Sequence, residues 1–311
     1  MNVIELSHLR KEYDDLIAVE DLNLAIPTGE IYGLIGPNGA GKTTTIRMTC
    51  GLLSPTQGTV RVAGVDVLHE PEQAQQHIGY LSDFFSVYET LKVWEYLDYF
   101  AHAYKMAEEK IPARVTEVIA EVGLEVKRDA LIRGLSRGMK QRLGIGRAII
   151  HRPKLLLLDE PASGLDPKAR FDLRNLLRSL CDQGTTIVVS SHILTELEGF
   201  CTSIGIMEKG ALVRSGRIED VTAAANPART LRVRWIGDSS STVQSLLQQD
   251  PLISGLIVQS TEGEFRFAGT EDQLSKVLNN LVTVGVKITS FAETRQTVED
   301  LYMKLSGHQV M

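Results

Sequence analysis

The chain has 311 residues, 43% hydrophobic and 23% charged, with a formal net charge of −6. That size suits one large domain plus a smaller one with ample core material, and the acidic balance argues against non-specific nucleic-acid binding. Three widely separated cysteines, Cys50, Cys181 and Cys201, lack CxxC spacing, so neither a disulfide framework nor a zinc site is suggested, and a reducing cytosol is the natural compartment.

The opening MNVIELSHLRKEYDD alternates and carries charge, unlike a secretory signal, and no run approaches the ~18 apolar residues needed to span a bilayer. Any membrane role is therefore expected to be peripheral. Short apolar runs read as strands: Val3–Leu6, Leu22–Ile26, Ile31–Ile35, Val60–Val62, Ile78–Leu81, Leu155–Leu158, Ile187–Val189 and Ile204–Met207. Several stretches (LIAVE, IYGLI, LLLL, TIVV) are nearly continuous, as expected for strands buried on both faces of a sheet. Between Leu81 and Leu155 the spacing changes to three and four, with helices over Val93–Tyr104 and Ala107–Val122. Near residue 225 the AAANPAR stretch breaks any helix. Beyond it the pattern predicts strand 231–236, helix 240–249, strands 255–260 and 264–269, helix 271–284, strand 287–292 and helix 297–305, a split-βαβ order.

After the strand IYGLI comes GPNGAGKTTTIRM. Gly36, Gly41, Lys42 and Thr43 fit the P-loop pattern, with Pro37, Asn38, Gly39 and Ala40 between them and Thr44 following. Glycines let consecutive backbone N–H groups converge on phosphate oxygens, and the next helix offers its positive end. Lys42 supplies a point charge to the β- and γ-phosphates, and the Thr43 hydroxyl ligates Mg2+. Further on, KLLLLDEP places Asp159 at the carboxyl end of a buried strand, where it can hold Mg2+ through water. Glu160 follows, and strand alternation would turn it to the other side, toward an attacking water.

At this point the sequence resembles the ABC ATPase family, specifically the ATPase subunits of ABC-2 type exporters, over residues 2–220. LSRGMKQRL (135–143) is similar to the ABC signature, PASGLDP (161–167) to the D-loop with Asp166 as its acid, and SSHILTE (190–196) carries His192 at the switch-histidine position. Tyr13 lies where the family's A-loop aromatic stacks on adenine. The resemblance implies an α/β P-loop NTPase core over 1–224, with an antiparallel β subdomain and a helical insert over about 84–152. A linker at 225–229 and a small α+β domain at 230–311, for dimerisation or regulation, complete it. It implies ATP and Mg2+, with Lys42, Glu160 and His192 catalytic and Thr43, Asp83 and Asp159 around the metal. The nucleotide would lie on residues 36–44 and Tyr13, and on Ser136, Gly138, Gln141 and Asp166. Two ATPs would be sandwiched between this chain and a second copy or a paralogous subunit. The resemblance also implies an integral membrane permease as partner and a location at the cytoplasmic face of the inner membrane.

Two positions depart from the family. Arg137 stands where glycine is usual; it is either turned away from the nucleotide, and then harmless, or points inward and adds positive charge near the γ-phosphate. Asp83 stands where glutamine or glutamate is usual, one methylene shorter than the latter, which suggests metal contact through water and slow basal hydrolysis. Phe84, Phe85, Tyr88 and Trp94 read as one aromatic cluster at the start of the insert, forming either a docking groove or internal packing. The alternative is a soluble ABC ATPase without a membrane partner. A P-loop kinase or GTPase is disfavoured, since no guanine-selecting Asn-Lys-x-Asp is present.

Overall fold

The computed structural model describes residues 1–193, 197, 199–218, 220–221 and 229–293. The chain divides after Ile218 into two compact units. The expected linker lies outside the described residues except for Arg229, and the expected helix 297–305 lies wholly outside them.

In the first unit, β1 (Asn2–Tyr13) and β2 (Leu16–Pro27) form an antiparallel hairpin in which Tyr13 pairs with Leu16. They continue into β4 (Gln57–Val62) and β5 (Val65–Asp66) in the order β2-β1-β4-β5. A second sheet runs β10-β9-β3-β8-β7-β6, from β3 (Ile31–Ile35), β6 (Ile78–Leu81), β7 (Leu155–Leu158), β8 (Thr186–Ser191), β9 (Ser203–Glu208) and β10 (Ala211–Arg217). All its pairings are parallel except β9 with β10. IYGLI, LLLL and TIVV are buried at every residue, as continuous apolar runs in a covered parallel sheet should be. LIAVE is not. It begins edge strand β2 of the antiparallel sheet beside the hairpin turn, where Leu16 and Ile17 are both exposed, and alternation of buried and exposed residues sets in only from Leu22.

One apolar core joins the two sheets, from Leu9 and Val60 through Ile46 and Met48 of α1 (Lys42–Thr49) to Leu34 and Leu157. After β5 comes the short α2 (Pro71–Gln75). The insert between β6 and β7 carries α3 (Val93–Ala103), α4 (Ile111–Glu121) and α5 (Arg137–Ile149), which bury Tyr96, Leu97, Val115, Val118 and Leu143 among themselves. The predicted aromatic cluster does not form. Tyr88 instead meets Tyr96 and Tyr99, and both meet Phe100, because helical spacing puts these rings on one side of α3. Phe84 is 90% exposed, Phe85 packs against Gly144 and Arg147, and Trp94 lies under Arg128. Helix α6 (Pro167–Asp182) buries a stripe of Leu173, Leu176, Leu177 and Leu180.

In the second unit, β11 (Arg229–Ile236), α7 (Ser240–Gln248), β12 (Ile253–Val258), β13 (Glu262–Phe267), α8 (Glu271–Thr283) and β14 (Lys287–Glu293) follow the split-βαβ order. The sheet is antiparallel, β12-β13-β11-β14. Leu231, Val233, Trp235, Phe265 and Phe267 pack under Val243, Leu247, Val277 and Leu281 of the helices. Strands β12 and β13 start two residues before their sequence-predicted positions. Gln259 N–H donates to Glu262 O at 2.7 Å, which closes the hairpin early, and Thr270 is already the cap of α8.

Candidate active site

Strand β3 delivers the chain into the loop 36–41, and backbone contact dictates two of its glycines. A Cβ at Gly36 would stand 2.3 Å from Met207 O, and one at Gly41, which has φ +100°, would stand 2.5 Å from Ala18 O. Lys42 opens α1 and is only 6% exposed. Its Nζ donates to Gly36 O at 2.6 Å and Pro37 O at 3.2 Å and lies 3.5 Å from Glu160 Oε1. Burial lowers the Lys42 pKa, opposed by the Glu160 and Asp159 carboxylates.

Asp159 is buried beyond the end of β7. Its Oδ1 accepts from Thr43 Oγ1 at 3.1 Å and from Ser190 Oγ at 2.6 Å. Ser190 in turn accepts from Glu160 N–H at 2.9 Å, so one hydroxyl joins the two acidic residues. No sequence motif assigns a role to this serine; its only signal is a polar residue at the end of the buried TIVV run.

Glu160 departs from strand alternation. Its φ is +48°, in the left-handed region, and its carboxylate comes to the same P-loop that Asp159 meets. Such a backbone costs roughly 1–3 kcal/mol and persists only where its surroundings over-determine it. Here Ser190 holds the N–H, Ser163 N–H donates to the carbonyl at 3.1 Å, and the carboxylate lies between Lys42 and His192. His192 Nδ1–H donates to Glu160 Oε2 at 2.8 Å. The structure therefore brings Lys42, Thr43, Asp159, Glu160 and His192 together.

Asp83 follows β6 at the margin of this group. Burial raises its pKa, aided by the negative charges of Asp159 and Glu160 and opposed by Arg137 and His192. With Phe85, Arg137 and Gln141 it lines an open cleft of about 520 Å³. The other predicted residues lie elsewhere on the unit. Tyr13 ends β1, 44% exposed, with Lys11 Nζ 5.1 Å from its ring centre. Ser136 caps α5, its Oγ accepting from Met139 N–H at 3.3 Å, and Gly138 fits where a Cβ would stand 2.9 Å from Ala169 Cβ. Asp166 caps α6, accepting from Ala169 N–H at 2.9 Å. Among the described residues no hydrogen bond or ion pair joins Ser136, Gly138, Gln141 or Asp166 to Lys42 or Glu160.

Residues 19–163 match the family model described as ABC transporter. Over 307 residues the chain is 33% identical to the bacitracin transport ATP-binding protein BcrA of Enterococcus faecalis, covering 98% of this chain and 96% of that one. It is 38% identical over 221 residues to the probable multidrug ABC transporter ATP-binding protein YbhF of Escherichia coli, covering 71% of this chain but only 38% of that relative's length. A solved structure of an ATP binding subunit of an ABC transporter matches with a TM-score of 0.64 at 32% identity, covering 71% of this chain and 92% of that one. A relative matched along nearly its whole length, together with a solved structure of the same fold, leaves one assignment: the chain belongs to the ABC transporter family, as one of its ATP-binding ATPases.

Proposed function

We propose that this chain hydrolyses MgATP between two facing ATPase subunits, its own second copy or a paralogue, and so drives export through a separate integral membrane permease at the cytoplasmic face of the inner membrane. The observation that carries the reading is Glu160, held between the phosphate-binding lysine and a histidine on one side of the P-loop. The name of a relative that covers 98% of this chain, a bacitracin transport ATP-binding protein, supports the transport half of it.

Residues 36–44 wrap the triphosphate with backbone N–H groups, and Lys42 exchanges its loop carbonyls for phosphate oxygens. The Thr43 hydroxyl and Asp159 carboxylate, 3.1 Å apart, are hard oxygen donors of the kind Mg2+ takes alongside substrate phosphates and water, with Asp83 at the margin. Bound there, Mg2+ would neutralise charge on the β- and γ-oxygens. Glu160 orients a water and accepts its proton as the oxygen attacks the γ-phosphorus and ADP leaves. With Nδ1 committed to Glu160, His192 has Nε2 left for the γ-phosphate. Tyr13 stacks on the adenine. Ser136, Gly138, Gln141 and Asp166 meet the nucleotide held by the facing subunit, the helix-start position of Ser136 offering a positive dipole end. The second unit assists dimerisation or regulation.

Glu160→Gln keeps the shape and removes the base. Turnover is expected to fall at least about 100-fold while MgATP binding persists, and the protein should elute as a dimer when saturated with nucleotide. A monomer under those conditions overturns the sandwich; undiminished hydrolysis overturns the role of Glu160.

A further inference from the structure

Beyond Glu160 the chain makes two linked turns. Ser163 N–H donates to Glu160 O at 3.1 Å, and Leu165 N–H donates to Ala162 O at 3.2 Å across Gly164, which has φ +66°. Arg137, the first residue of α5, lies against both. Its Nη2 donates to Ser163 O at 2.8 Å, so both backbone groups of Ser163 are committed, one to Glu160 and one to Arg137. The guanidinium also covers Gly164 so closely that a Cβ there would stand 2.6 Å from Cζ and from both Nη atoms. A planar, always-charged fork suits a backbone carbonyl and a flat glycine surface together, whereas the glycine usual at this position could make neither contact.

We propose that Arg137 is a positioning residue, which acts through the Ser163–Gly164 turn to hold the left-handed Glu160 in register with Lys42 and His192. The proposal rests on Glu160 as the group that activates water. It also separates the two readings of the signature arginine. A side chain latched to its own turn affects how fast bound ATP is split, while a phosphate ligand would affect how tightly ATP is bound. Helix α5 belongs to the insert and the turn to the parallel-sheet core, so the latch ties these two parts of one chain three residues beyond Glu160.

The test uses the full-length protein with Arg137→Gly, Arg137→Met, which keeps an apolar stem without a donor, and Arg137→Lys, which keeps one cationic donor. Each is measured for kcat and KM with MgATP, and, without nucleotide, for hydrogen exchange of the amides of residues 162–165. Loss of one charge-assisted hydrogen bond is expected to speed exchange of the 162–165 amides about tenfold in the Gly and Met variants. The kcat of both should fall about tenfold with KM unchanged within about twofold, and Lys should restore part of both losses. Exchange at residues 36–43 serves as the folding control; should the Gly variant fail it, the Met variant decides. Unaltered exchange at 162–165, or a raised KM at unchanged kcat, overturns the proposal. If the wild-type protein does not split ATP, the role of Glu160 fails instead, and the exchange comparison still decides whether Arg137 latches the turn.

Discussion

Lys42 is a cation only 6% exposed, and a buried charge is tolerated only when its surroundings compensate it. Two loop carbonyls and the Glu160 carboxylate do so. That arrangement depends on a backbone path only glycine can follow. Gly41 combines φ +100° with a blocked Cβ direction, 2.5 Å from Ala18 O, whereas Gly39 has φ +81° but open space. Gly41→Ala is therefore expected to cost at least about 2 kcal/mol in urea unfolding and to weaken MgATP binding at least about tenfold, while Gly39→Ala costs only about 1 kcal/mol. Equal effects of the two substitutions would show that the loop bends to admit a methyl group.

Among the elements, α5 carries chemistry at its start and a pH-sensitive packing site just past its end. His151 stacks on Tyr104 at 3.8 Å and donates from Nε2 to Ile78 O at 3.0 Å, and its buried Nδ1 has no hydrogen-bond partner. Burial, with smaller contributions from the Arg114 and His77 charges, pulls its pKa down to about 4, against the stabilising pull of the Ile78 carbonyl. An unfolded imidazole titrates near ~6.5, so between these values the unfolded chain binds more protons than the folded one. Stability from this site is complete above about pH 6.5 and is lost as pH falls toward 4, by up to roughly 3 kcal/mol. His151→Gln should flatten the difference between urea midpoints at pH 7 and pH 5. An identical drop in wild type and variant would mean that other groups carry it.

Element identity was legible where the covering of a strand matched its pattern, as for β3, β7 and β8, whose continuous apolar runs are buried throughout. The LIAVE run misled because an apolar run does not say which sheet receives it, and an edge strand left Leu16 and Ile17 exposed. The aromatic residues misled for a similar reason. Phe84, Phe85, Tyr88 and Trp94 are neighbours in sequence, but rings meet by helical spacing, so Tyr88 joins Tyr96 and Tyr99 instead.

At the scale of the whole molecule, the two units have separate apolar cores, one running between the two sheets of the first unit and one under the split-βαβ sheet. Only the first contains the P-loop. Heating the intact protein in a calorimeter is expected to give two transitions, and saturating MgATP should raise one and leave the other in place, since a ligand stabilises the unit that binds it. A single transition that moves as a whole would show that the units unfold together.

By itself the sequence determined the chemistry available: a glycine-rich loop before Lys42 and Thr43, adjacent carboxylates after a buried strand, and a histidine after another. Those spacings are local, and local spacing is enough to tie a residue type to the end of a particular strand. Tertiary structure alone decided how the groups face one another. The left-handed turn at Glu160 brings its carboxylate to the side where Asp159 already lies, Ser190 joins the two, and Arg137 reaches the turn beyond them. The Ser190 and Arg137 contacts link segments remote in the chain, and their geometry follows from how the sheet and the helical insert pack, which no short stretch of residues encodes.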